Sequence, residues 1–203
     1  MAADVLLATW EHLWLTGISV GLAIAVGVPL GAWIVRHRFL SGPVLAAVGV
    51  IQTIPSLALL GLFVPLLGVG VAPALVALFL YALLPIVRAT FTGLDGVDPR
   101  ALDAARGMGM TPAQVLRQVA LPQALPVIMS GVRTSTVINV GVATLAGFIG
   151  AGGLGALINM GLAMVDWQRI AMGAVPAAAL ALALDFALSR IERRLVPRGL
   201  RLP

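Results

Sequence analysis

Apolar positions in this chain gather into five long windows, over about 13–35, 43–67, 74–92, 124–149 and 170–189, separated by short polar or glycine- and proline-rich breaks. Each window is near the ~20 residues a helix needs to cross a hydrocarbon core of about 30 Å, so the pattern predicts an all-α membrane protein with five spans. Within the first window small residues recur four apart, as Gly17-x-x-x-Gly21 and Gly27-x-x-x-Gly31. That spacing lets backbones approach closely, either inside one chain or between subunits. Five helices are few for enclosing a solute path, so an oligomer is expected.

One block interrupts the pattern: DPRALDAARGMGMTPAQVLRQVALP, residues 98–122. Asp98 is placed to cap a helix whose first position is Pro99, and Gly107 and Gly109 stop it. Thr111-Pro112-Ala113-Gln114 has the form of a capping box and predicts a second short helix that ends at Leu121-Pro122. The first helix presents Ala101, Ala104 and Ala105, small enough for another protein surface to come close, rimmed by Arg100, Asp103 and Arg106. The block is either a docking knob or a plain solvated loop.

Composition places the whole chain in lipid. Hydrophobic residues make up 60% of it and charged residues 10%, and the mean hydropathy of +1.05 exceeds what a soluble core can hide. The thirteen basic residues are all Arg, and there is no Cys, which excludes disulfides and thiol chemistry. A sequence pI near 11.5 would suit nucleic acid, yet the arginines flank apolar windows, and in the polar block three Arg are offset by two Asp. No nucleic-acid partner is expected. Placing the loop after the first window inside puts eleven of the thirteen Arg at the cytoplasmic side, Arg198 and Arg201 of the tail among them, with Arg169 outside and Arg133 within the fourth window. The positive-inside rule then predicts an outside N-terminus, an inside C-terminus and a cytoplasmic polar block. The N-terminal stretch carries acids where a cleaved leader would carry basic residues, so it is expected to be retained.

Enzyme chemistry finds no foothold. The phosphate-binding loop of an ATPase needs a Lys, and the chain has none. His12 and His37 are expected on opposite sides of the membrane, which leaves no metal centre and no Ser-His dyad. The run from Gly150 to Gly155 satisfies G-x-G-x-x-G but follows a membrane span instead of a strand, so it reads as a flexible or tightly packed outer segment. Asp185 is the one acid inside a window, near its inner end, where pairing with a nearby Arg is the plain explanation. Two polar groups remain inside windows: Gln52, Thr53 and Ser56 around Pro55, and Arg133, Thr136 and Asn139 at three-residue spacing. They either line a solute path or bond helices together.

Asp103-Ala104-Ala105, then Gly109, Val119 and Leu121-Pro122, resemble the EAA loop of binding-protein-dependent ABC importer permeases, EAA-x3-G-x9-I-x-LP, with Asp for Glu and Val for Ile. The resemblance implies a single permease domain over 1–203 with the type I importer fold in a bacterial inner membrane. It implies that the loop 94–122 couples to a separate ABC ATPase, so ATP is used by the partner and this chain takes no cofactor. Further partners implied are an extracytoplasmic substrate-binding protein and a second permease subunit, identical or a paralogue. The stretches IPSLALLGLFVPLLGVGVAPALVALFLYALLPIVRATFTGL and ALPVIMSGVRTSTVINVGVATLAGFIGAGGLG, with the tail DFALSRIERRL, look like the osmoprotectant branch, which imports glycine betaine, choline or carnitine. Methionine-type permeases share a similar glycine-rich run, so a methionine or other amino-acid permease is the alternative; by resemblance that run contributes to the outer gate. Quaternary ammonium groups are usually held over aromatic faces, but the chain has one Tyr, and Trp10, Trp14 and Trp167 sit at the expected outer boundary. Tight selection is therefore expected in the binding protein. A stand-alone secondary carrier would show self-similar halves and midplane acids, and neither is legible here.

Overall fold

The computed structural model describes residues 2–196; Arg198 and Arg201, counted in the orientation argument, lie outside them. The described chain is helical, with the order α1 (Ala2–Arg36), α2 (Arg38–Thr53), α3 (Ser56–Leu67), α4 (Val71–Asp95), α5 (Pro99–Gly107), α6 (Pro112–Gln114), a π-helical turn (Val115–Ala120), α7 (Leu121–Ala146), a 3₁₀ turn (Gly147–Ile149), α8 (Leu154–Met164) and α9 (Trp167–Leu195). Four runs among these residues are long and apolar enough to cross a membrane: Ala3–Arg36, Val71–Asp95, Pro112–Ile149 and Trp167–Leu195. The pair α2–α3 makes a fifth if it crosses as one.

That pair departs from the expected single helix over 43–67. It bends by 93° at Ile54-Pro55. Proline disfavours the helical region for the residue before it, and Ile54 is accordingly extended, at ψ 127°. The freed groups are served from α4: the Tyr81 hydroxyl donates to the Ile54 carbonyl. Pro65, Pro85, Pro126 and Pro176 lie inside helices that continue past them, as membrane helices permit when neighbours satisfy the freed carbonyls.

α4 is the centre of the fold, with α1 on one side and α7 on the other. Leu15, Leu60, Leu78 and Ile86 are fully buried among these helices. The close approach of α1 to α4 needs glycine, because a Cβ on Gly31 would lie 2.6 Å from the Thr90 Cβ. Gly17 and Gly21 have nothing within 4 Å of such an atom. Of the two four-residue glycine pairs, one therefore packs inside the chain and the other faces open space. The outward face of α1 carries Leu6, Trp10, Trp14, Leu22 and Trp33, all exposed, as a surface against lipid tails requires.

The glycine-rich run is packed against α1. Gly150, Gly152 and Gly153 all have positive φ. The Gly153 amide donates to the Glu11 carboxylate at 2.8 Å, and His12 Nε2 pairs with the Val140 carbonyl at 3.0 Å.

Candidate functional site: the polar elbow

The elbow between α4 and α7 is built from local signals that the chain spells out. The Asp98 carboxylate accepts from the Arg100 amide at 2.9 Å, with Pro99 in the first turn of α5. At the far end Met110 N–H donates to the Ala105 carbonyl at 3.2 Å and Gly109 N–H to the Arg106 carbonyl at 2.9 Å. This pair of bonds is a Schellman closure, which needs a left-handed residue between its arms, and Gly109 supplies it at φ 82°. Thr111 then opens α6 with a complete capping box: its hydroxyl accepts from Gln114 N–H at 3.4 Å, and its own N–H donates to Gln114 Oε1 at 2.8 Å.

The second elbow helix does not end at Leu121-Pro122. It runs on through the π-helical turn into α7, as one helical run from Pro112 to Ile149. Leu121 N–H donates to the Leu116 carbonyl, five residues back, and the next residue, Pro122, has no N–H to give. The step from five-residue to four-residue hydrogen bonding thus falls where a donor is already missing, and the helix loses little by shifting register there. Proline at this place changes the pitch without stopping the helix.

Exposure sorts the expected docking residues. Asp103 and Ala104 face solvent, whereas Ala105 is 1% exposed and points into the body. Asp103 pairs with Arg106 at 3.0 Å, both side chains largely exposed. Leu102, Leu116 and Leu121 lean on a buried cluster of Leu94, Val97, Ala120, Ala124 and Ile128, and this packing fixes the elbow on the ends of α4 and α7. Arg38 pairs with Asp95 at 2.5 Å, tying the start of α2 to the same corner. Met108, at the tip, is 75% exposed. Residue-by-residue reading passed over it. Its signal is an apolar side chain in a polar block, set beside the glycine that turns the chain.

The residues considered for a solute path are spread over the fold. Thr53 is exposed at the α2–α3 break and bonds back to the Val50 carbonyl at 2.7 Å, with Ser56 half-buried across the break. Gln52 donates to the Tyr81 carbonyl at 3.0 Å. Asn139 is fully buried and donates to Ser19 of α1 at 3.0 Å, while buried Thr136 donates to the Val132 carbonyl of its own helix at 2.8 Å. Arg133 reaches α9, where it meets Asp185 and Glu192. Among the described residues no three His, Asp or Glu side chains gather in a metal-binding group.

The elbow and the helices that carry it have counterparts in known proteins. Residues 17–198 match the family model described as binding-protein-dependent transport system inner membrane component. The osmoprotectant import permease protein OsmW of Salmonella typhimurium is 50% identical over 95% of this chain and 92% of its own length. The glycine betaine/carnitine/choline transport system permease protein OpuCB of Bacillus subtilis is 48% identical over 98% of this chain and 91% of its own. Among solved structures, an inward-facing MetNI methionine ABC transporter superposes with a TM-score of 0.84 at 27% identity, covering 97% of this chain and 98% of that one. The chain therefore belongs to the binding-protein-dependent transport system inner membrane components, and it is the permease component of an ABC importer, with the type I importer fold, and not itself an enzyme.

Proposed function

We propose that this permease carries a small quaternary-ammonium osmoprotectant, of the class glycine betaine, choline or carnitine, by alternating access. The printed names of the relatives at 50% and 48% identity support that solute class. In this reading five spans cross the membrane, α2 and α3 counting as one, with the N-terminus outside and the C-terminus inside; the bias of Arg to one side supports the orientation. Two permease subunits, identical or paralogous, enclose the path, and an extracytoplasmic binding protein delivers the solute. The partner ATPase consumes ATP, and this chain takes no cofactor.

The observation that carries the reading is the elbow. A pre-closed corner presents Asp103, Ala104 and Met108 outward, while Ala105, Gly109, Leu121 and Pro122 set its shape and its continuity with α7. Such a rigid knob seats in an ATPase groove and passes displacement straight into a spanning helix. Thr53 and Ser56, at the broken pair, are the path-lining residues in this proposal. Gln52 and Asn139 hold helices together around the path, Thr136 bonds back to its own helix, and Arg133 stands at the edge of the path.

Uptake tests the reading directly. In cells lacking their own importer, labelled glycine betaine should be competed by choline or carnitine and not by methionine. The reverse order would move the chain to the methionine-type reading that the MetNI likeness supports. Asp103→Arg or Gly109→Pro should abolish uptake while the chain still inserts, and normal uptake in both would overturn the coupling role. Co-purification with an ATPase separates this assembly from a stand-alone carrier.

A further inference from the structure

α9 is held unevenly along its length. Its first half is clamped to α8: a Cβ on Gly173 would lie 2.6 Å from the Ile158 Cγ1 and 2.7 Å from the Leu154 carbonyl. From 178 to 195 no side chain is buried. Beside this second half lies a cavity of about 660 Å³ between α9, α1 and α7, walled by Ile24, Val28, Leu125, Met129, Leu188 and Leu195. Leu180, Leu184 and Leu188 are half-buried there, so apolar packing holds this part of the helix less tightly than the first half.

A guanidinium ties it to α7. Arg133 of α7 donates from Nε and Nη2 to the two oxygens of Asp185, at 3.0 and 3.1 Å, and from Nη1 to Glu192 Oε2 at 3.1 Å. Asp185 and Glu192 are seven residues apart, so they share one face of α9 about two turns apart. The planar fork grips one carboxylate with two bonds and reaches the other with its remaining nitrogen, a geometry that an ammonium group does not reproduce. Arg133 lies within an apolar window, where an unpaired guanidinium is costly, and this keeps the three together.

α7 continues unbroken from the elbow, as part of the run from Pro112 to Ile149. A displacement applied at the elbow is therefore applied to Arg133. We propose that Arg133 is a positioning residue: it hands the movement of α7 to the second half of α9, so that the two helices swing as one wall of the path. The proposal rests on the coupling role of the elbow stated above.

The test uses the whole assembly, with its ATPase and binding protein, in proteoliposomes, and reads solute uptake together with ATP hydrolysed per solute imported. Arg133→Gln and Asp185→Asn should each lower uptake at least tenfold and raise ATP per solute at least fivefold. The exchange of Arg133→Asp with Asp185→Arg should return uptake to within threefold of the native protein. A purely structural tie would lower uptake and hydrolysis together and leave their ratio unmoved, which would overturn the proposal. An exchange pair no better than the single variants would overturn it too, as would failure of both single variants to assemble. Asp103→Arg serves as control. If it abolishes uptake while the Arg133→Gln ratio stays native, only this inference falls; normal uptake in both Asp103→Arg and Gly109→Pro sinks the coupling reading itself.

Discussion

The side-chain amide of Gln52 donates at 3.0 Å to the carbonyl of Tyr81, the carbonyl that Pro85, four residues on and lacking an N–H, leaves without its helical partner. With the Tyr81 hydroxyl bonded to Ile54, the broken pair α2–α3 is clasped to α4 from both directions. Gln52→Leu leaves that carbonyl unpaired in an apolar setting and should cost about 1 kcal/mol or more. This corresponds to a fall of roughly 2–4 °C in the unfolding midpoint in detergent. Adding Pro85→Ala restores the helical donor and should recover most of the loss. No recovery in the double variant would refute this account of Gln52.

Gly109 stands at φ 82° inside the elbow closure. Alanine there costs about 1 kcal/mol, which lowers the ratio of closed to open elbows by roughly fivefold. Uptake by Gly109→Ala should fall by up to that factor, and uptake by Gly109→Asn should fall less because asparagine tolerates the left-handed region. The pair is read by initial uptake rates at equal membrane abundance.

Met108 projects from the tip with 75% of its surface exposed. Met108→Asp should release the ATPase on purification while insertion and thermal stability stay native, since the side chain touches little of its own chain. Met108→Leu should retain the ATPase. Retention by the Asp variant would remove Met108 from the docking surface.

Glu11 accepts the amide of Gly153 at 2.8 Å, and a Cβ at Gly152 would lie 2.6 Å from the same carboxylate oxygen. The carboxylate thus fills the hollow of the glycine-rich turn. Glu11→Leu should speed amide exchange at Gly153 at least tenfold, and Glu11→Gln, which keeps an acceptor oxygen, should change it far less. Gly152→Ala should act like Glu11→Leu by pushing the two apart.

Much of the elbow is local, and so it is legible in the chain. Asp98, Pro99, Gly109 and Thr111 each act on backbone groups within five residues of themselves, and side chain to backbone bonds of that range follow from spacing. The apolar windows are legible for a similar reason, because lipid demands a continuous run of apolar side chains whatever the fold. The break at Pro55 shows where this stops. A proline in a membrane helix either bends it or is absorbed, and the choice depends on which neighbours take up the freed carbonyls. At Pro85 the neighbour is Gln52, and the helix goes straight on.

Periodicity placed Arg133, Thr136 and Asn139 in one stripe, yet each found a different partner: α9, its own helix, and α1. Likewise the spacing of Gly17, Gly21, Gly27 and Gly31 does not say which pair meets α4. Sequence by itself determined the elbow caps and the apolar lengths, because those depend on neighbours along the chain. Only the tertiary structure decided which face of each helix is buried and which carboxylates meet Arg133, because those depend on how helices rotate about their axes to pack.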